Sequence, residues 1–424
     1  MQIQKFRLAR PFVALLPLLA AGCSALAGEN SNKAGAELLG DTAPDVTGSS
    51  RSSSTERATK ESSNAGVVGP AAADASQCDS LLNAPSTEHS GAASDTNALQ
   101  LQREEVFDDE RYVQIWGHAD DDIWAIGERN APSHATAARA ALDCDATRFD
   151  ASVLARHFDG DEWTLVDFPS NTRVNEVRGS GSDDIWAVGA HAQAWHFDGH
   201  EWTSHDLSDA IGGDAPTDPC SEVVFSSVWV QSKQSAWIVG FAYLDGDQSP
   251  LILHYDGAAW TRQAVQGDEP LLSVWAADAQ HAWAVGASGV MHTLQGEQWQ
   301  RAPKITDRDL NVITGVAADN VWVAGSSATM LRFDGSDWKP SNPAVDYMVS
   351  EGMVARAGAG VWMLSDSIHQ QGIAIDYVQT VDHWDGEQWC SVRTSNDTTR
   401  MLSELWVSPS GQVWGAGYAL VRVL

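Results

Sequence analysis

Residues 182–189 read SDDIWAVG and residues 197–202 read FDGHEW, and both stretches recur down the chain. The first returns as DDDIWAIG around Trp124, QSAWIVG around Trp237, QHAWAVG around Trp283, ADNVWVAG around Trp322, AGVWML around Trp362 and GQVWGAG around Trp414. The second returns as FDGDEW, YDGAAW, LQGEQW, FDGSDW and WDGEQW, ending at Trp163, Trp260, Trp299, Trp338 and Trp389. With Trp186 there are seven tryptophan centres, and a self-similar unit at this period marks a repeat architecture.

Each unit divides into four segments of alternating apolar and polar residues with Gly, Asp or Ser between them, the pattern of antiparallel hairpins. In the second unit they are Val174 to Gly179, Asp184 to Gly189, Ala194 to Asp198 and Glu201 to Leu207, called a, b, c and d. The Asp-Gly between c and d is a strong hairpin signal, because both turn residues accept positive φ and match the strand twist. Seven such units predict an all-β, seven-bladed β-propeller of four-stranded blades over residues 99–424.

Eight residues before the central tryptophans stand Trp116, Arg178, Trp229, Trp275, Thr314, Val354 and Trp406, so the a–b spacing is constant, as is the c–d turn. Length varies only in the b–c connections (Glu128 to Ser152, Phe241 to Ser249, Ser365 to Tyr377) and the d–a connections (His205 to Glu222, Pro340 to Gly352). In an antiparallel blade these emerge on one face, which in repeat folds is often the binding face. Its loop aromatics Phe149, Tyr243, Tyr347 and Tyr377 are the candidate binding residues. The seventh unit has segments a, b and c but no d, and Leu99 to Glu105 is placed to supply it and close the ring, hiding a sheet edge.

The N-terminus carries Lys5, Arg7 and Arg10 before an apolar run from Pro11 to Ala21, too short to span a bilayer and suited to a secretory signal. The run ends Leu19-Ala20-Ala21-Gly22-Cys23, which resembles the lipobox of bacterial lipoproteins, with Ala20 where Leu is more usual. That resemblance implies a signal peptide over residues 1–22 and lipidation of Cys23. Ser24 in place of an aspartate favours the outer membrane. Residues 23–98 are rich in Ser, Ala, Gly, Asn and Thr and lack aromatics; they cannot bury enough apolar surface to offset ordering entropy and are expected to be a disordered tether.

Lys and Arg total 26 against 57 Asp and Glu, a net charge of −31, which argues against nucleic acid or an anionic bilayer surface as partner. Asp120, Asp121 and Asp122 lack the alternating spacing and glycine of a calcium loop and read as a solvated turn. In an exported chain four cysteines beyond Cys23 suggest two disulfides; blade geometry pairs Cys144 with Cys220 on the variable face and Cys78 with Cys390 near the closing blade. No Cys or His spacing supports zinc, and no metal or cofactor is expected. His157, His196, His254 and His383 hold one repeat position, before the DG turn, and read as a structural residue rather than a ligand set.

No nucleophile elbow, HExxH, phosphate loop or dinucleotide fingerprint occurs. A propeller sialidase would need an arginine cluster, a Tyr–Glu pair and acids about the central channel; Arg178, Arg356, Glu404 and Tyr418 are the scattered candidates. The VWxxxxxxxWAVG and HFDGxxW units resemble the tryptophan-rich propeller repeats of exported lipoproteins of myxobacteria and related bacteria. A weaker likeness is to tectonin-type lectin propellers, whose units are shorter and lack the DGxxW turn. These resemblances imply architecture and export and leave the ligand open. The expectation is a non-enzymatic, lipid-anchored interaction module whose partner is an envelope or extracellular protein, with a glycan-binding lectin as the alternative and a hydrolase third.

Overall fold

The computed structural model describes residues 101–105, 109–129, 152–170, 172–212, 222–244, 247–341, 348–371, 374–395 and 402–423. The expected signal and tether, residues 1–22 and 23–98, lie outside them. The described residues form seven four-stranded antiparallel sheets, the seven-bladed β-propeller that the repeats predict. In blade two the strands are a (Val174–Gly181), b (Asp184–Gly189), c (Gln193–Phe197) and d (Trp202–Asp206), within two residues of the segments read from sequence. The closure is as expected: Leu101–Glu105 pairs with the final strand c, Leu420–Val423, placing Leu101 opposite Val423 and Arg103 opposite Val421.

The invariant eight-residue interval has a direct cause in the ladder. Trp116 lies opposite Trp124, Arg178 opposite Trp186, Trp229 opposite Trp237, Trp275 opposite Trp283, Thr314 opposite Trp322, Val354 opposite Trp362 and Trp406 opposite Trp414. One more or fewer residue in that hairpin would turn a set of side chains to the wrong face. The glycine ending the WAVG stretch is fixed by crowding. A Cβ on Gly189 would stand 2.0 Å from the Arg173 carbonyl oxygen, and one on Gly286 would stand 2.0 Å from that of Pro270.

Five of the seven central tryptophans, Trp124, Trp186, Trp237, Trp322 and Trp414, are clamped from two sides. Within its own blade a central tryptophan stacks under the strand-c residue opposite it: His157 on Trp124 (4.5 Å between ring centroids), His196 on Trp186 (4.4 Å), His254 on Trp237 (4.1 Å) and His383 on Trp362 (4.1 Å). Arg332 and Arg422 lie over Trp322 and Trp414 at 5.1 and 4.6 Å. The repeat-position histidines are thus stacking residues, spread over separate blades. From the next blade, the DGxxW tryptophan meets the central ring edge-on: Trp202 on Trp124, Trp260 on Trp186, Trp299 on Trp237 and Trp389 on Trp322, at 5.1 to 5.6 Å. Trp163 of blade one meets Trp414 of blade seven in the same way, so the last joint is built like the others.

Two connections expected as loops are instead extensions of the sheet. In blade three, strands b (Ser235–Leu244) and c (Asp247–Tyr255) stay paired out to Leu244 opposite Asp247, leaving only Asp245 and Gly246 between them. In blade six, Gly360–Gln371 and Ala374–Trp384 pair out to Gln371 opposite Ala374, across Gly372 and Ile373. Strand a of that blade starts early, at Met348, inside the segment expected to connect blades five and six.

His292, on strand c of blade four, is wholly buried, and neither ring nitrogen has a hydrogen-bond partner. Burial, with the charge of Arg301 opposite it in the ladder, holds its imidazole down at about 4, against a smaller pull from Glu269, which is ion-paired to Arg301. A folded-state value below the unfolded one means that stability is complete above pH 6.5 and is lost as pH falls toward 4. Leucine holds the equivalent position in the flanking blades, at Leu253 and Leu331. His292→Leu should therefore gain about 2–3 kcal/mol on the wild type between pH 7.5 and 4.5. Denaturant unfolding at the two pH values checks this, and a difference independent of pH would refute it.

Candidate functional site

The a–b and c–d turns share one face, and in blades one, two, three and five they pack against each other there. The c–d turn glycine sits directly on the a–b turn: a Cβ on Gly160 would reach 2.9 Å from the Asp121 side chain, one on Gly199 2.8 Å from Asp183, and one on Gly335 2.9 Å from Asp319. Neither turn can lengthen without separating from the other. The opposite face, reached by the b–c and d–a connections, carries no such constraint and receives the extended hairpins of blades three and six.

Of the four candidate aromatics on that face, Tyr243 stands on the blade-three extension and is 39% exposed. Tyr377 is on the blade-six extension, opposite Ile368, three positions from blade three in the ring. Phe149 and Tyr347 lie outside the described residues, as do Cys23, Cys78, Cys144 and Cys220. Cys390 opens the outer part of strand d in blade six, is 3% exposed and is disulfide-bonded. In the connection from blade two to blade three, a four-residue helix (Ser208–Ile211) is pinned to blade three by Arg262, which donates to the Ile211 carbonyl at 3.0 Å.

The channel candidates converge only in part. Arg178 is ion-paired to Glu176 at 2.7 Å and approaches Glu404 of blade seven at 3.9 Å. Arg356 instead donates to the Val407 carbonyl at 3.0 Å, and exposed Tyr418 lies 5.7 Å under Arg111. Polar residues of strand a serve largely to seal inner sheet edges. Glu176 accepts from the Val228 amide, Ser227 from Val274, Ser273 from Ile313 and Thr314 from Ala355, each reaching the next blade at 3.0 to 3.2 Å.

Sequence reading missed the strongest ionic cluster. At the start of blade one, Glu110 accepts from Tyr112, from Arg129 at 2.6 Å and from Arg156 at 3.0 and 3.2 Å. Burial alone would raise the Glu110 carboxyl, but these bonds outweigh it and hold it at about 2. The signal was there: Glu110 and Tyr112 are two apart on a strand and so share a face. It has the composition of a Tyr–Glu–Arg catalytic set, yet the Tyr112 ring is 1% exposed, and burial followed by the bond to Glu110 drives its hydroxyl upward. That is opposite to the activation a tyrosine nucleophile needs, and the cluster reads as a buried structural staple.

The aspartate run divides among separate partners. Asp120 accepts from Ser410 of blade seven at 3.0 Å, Asp121 lies under Gly160, and Asp122 faces His157 at 2.8 Å. Among the described residues no group of three or more His, Cys, Asp or Glu is placed to hold a metal ion.

No protein-family model matches the chain, and no curated protein matches it in sequence. Among solved structures it is similar to YCF48 bound to D1 peptide (TM-score 0.51, 14% identity, covering 78% of this chain and 97% of that one). It is similar also to a streptogramin B lyase (0.52, 11%, 76% and 96%) and to the WD40 repeats of RRP9 (0.52, 8%, 77% and 97%). At these identities the likeness establishes the propeller fold, a scaffold found here in one peptide complex and one lyase.

Proposed function

We propose that the protein is a lipid-anchored binding module of the cell envelope, an outer-membrane lipoprotein that presents the variable face of a rigid propeller to a protein partner. The observation that carries this reading is the confinement of length variation to one face, while the turns of the other keep a constant length and pack in pairs in blades one, two, three and five. A rigid ring with variable connections on one side is the usual form of a displayed binding surface. The charged start, apolar run and Ala21-Gly22-Cys23 boundary support the anchor. Leu101, the first residue of the closing strand, lies at the locked-turn end of its blade, opposite Val423. A tether entering there leaves the variable face pointing away from the membrane. The pairings Cys144 with Cys220 and Cys78 with Cys390 belong to this reading; the first would staple the two longest connections together.

A glycan-binding lectin is the second reading, favoured by the exposed ring of Tyr243. Against it, the other aromatic-bearing hairpin is on blade six, with blades four and five between. Binding of a defined glycan in an array, lost in Tyr243→Ala, would favour the lectin.

Cys23→Ala should release the protein from the membrane fraction and remove its lipid; a variant that still fractionates with the outer membrane and carries lipid would refute the anchor. Replacing residues 130–151 by a tight turn, which keeps the Arg129–Glu110 bond, should weaken a partner found by crosslinking at least tenfold while moving the melting temperature little, since surface connections contribute little to stability. Equal binding by the shortened and full-length proteins would remove the variable face from the account.

A further inference from the structure

Blade seven is the one blade without a DGxxW tryptophan. In blade two that tryptophan, Trp202, stands opposite Phe197, the residue after the cap His196. In blade seven the residue after the cap Arg422 is Val423, and Leu101 stands opposite it. The consequence shows on blade six. Trp362 stacks with His383 at 4.1 Å, yet it is the one central tryptophan of the seven that is only partly buried.

Cys390 lies at the same joint. It is opposite His383 in the ladder, and His383 is opposite Trp362, so the three share the sheet face that packs toward blade seven. In blades one to five this position, directly after the DGxxW tryptophan, holds Thr164, Thr203, Thr261, Gln300 and Lys339, all of them exposed. Cys390 is 3% exposed and disulfide-bonded. The other cysteines of the chain are Cys23, Cys78, Cys144 and Cys220. Cys23 is assigned to the lipid anchor and Cys144 and Cys220 to the variable face, whereas Cys390 stands at the c–d turn end of strand d, on the opposite face.

We propose that a disulfide from Cys390 to Cys78 is the latch of the ring, a covalent substitute for the tryptophan that blade seven lacks, and that its reduction by a dithiol opens the joint between blades six and seven alone. Cys78 precedes the closing strand in the chain, so fixing it to blade six keeps Leu101–Glu105 close to its slot and raises its effective concentration there. That strand has little hold of its own: it is five residues long, pairs on one side and is bulged between Arg103 and Glu105. In the exchange a thiolate of the dithiol attacks the Cys78–Cys390 bond, and the displaced cysteine leaves as a thiolate and takes a proton. The second dithiol sulfur then resolves the mixed disulfide, so two electrons pass to the protein, which ends with two thiols while the dithiol becomes a disulfide. The latch rests on the Cys78–Cys390 pairing of the proposed function.

Peptide mapping of the full chain without reductant should recover Cys78 linked to Cys390; a link from Cys390 to any other cysteine would refute the latch. Amide hydrogen exchange then reads the closure. Dithiothreitol should speed exchange at residues 101–105 and 420–423 at least about tenfold and leave strand b of blades two and three unchanged. Cys78→Ser/Cys390→Ser should match the reduced protein without any reductant, and the reduced wild type serves if that variant does not fold. Cys144→Ser/Cys220→Ser should keep wild-type protection of 101–105 until it is reduced. Leu101→Trp, added to Cys78→Ser/Cys390→Ser, restores a ring at the vacant ladder position and should slow the exchange again at least about threefold. A Cys78–Cys390 bond whose loss leaves exchange unchanged would keep the pairing and overturn the latch. Acceleration spread over all seven blades, or no slowing by Leu101→Trp, would overturn it as well.

Discussion

The molecule depends on one repeated joint, in which the central tryptophan of a blade is held between a cap from its own strand c and the DGxxW tryptophan of the next blade. A buried indole removes some 150–250 Å² from water, worth roughly 4–6 kcal/mol before ordering costs. Edge-to-face pairing adds about 0.5–1.5 kcal/mol for each contact. Joints of this kind close the ring between blades seven and one as they do elsewhere. The joint from blade six to seven differs, because Leu101–Glu105 brings no tryptophan; there Leu364, Val381, Leu402, Leu405 and Val421 pack as an aliphatic core instead.

That joint also explains where the chain can vary. The two rings that meet across it belong to strand b of one blade and strand d of the next, so both hairpins that position them must keep their length. In blades one, two and five the turns of those hairpins then touch, glycine on aspartate, and in blade three glycine on Gln234. Variation is left to the other face. Blades three and six use this freedom to continue their ladders rather than to make loops. Blade four shows the other kind of change, Thr293 in place of a cap, with Trp283 kept buried by Trp275 and Phe333.

Much of this was legible in the sequence because the repeat reports directly on the ladder. The eight-residue interval is the cross-strand register of Trp116 with Trp124 and its counterparts, and the missing strand d of the last blade left Leu101–Glu105 as the segment able to complete it. The extended hairpins were missed although Asp245-Gly246 and Gly372-Ile373 are sound two-residue turn sequences; their flanks lack the tryptophan signature, so they read as insertions. The Glu110 cluster was missed because Arg129 and Arg156 come from different strands, and their convergence is a property of the folded sheet. The exception at Thr293 was visible only as a departure from a consensus, and its meaning required knowing that the consensus residue is a cap.

The central claim is that neighbouring blades are held by specific ring contacts rather than by general apolar burial. The most direct measurement is a double-mutant cycle between Trp186 of blade two and Trp260 of blade three, with centroids 5.1 Å apart and nearly perpendicular planes. Denaturant unfolding of Trp186→Leu, Trp260→Leu and the double variant should give a coupling energy of about 1 kcal/mol or more. Leucine keeps most of the apolar burial, so the coupling isolates the ring contact. A coupling within about 0.3 kcal/mol of zero would mean that the two sites act independently, and the joint described here would not be what holds the ring together.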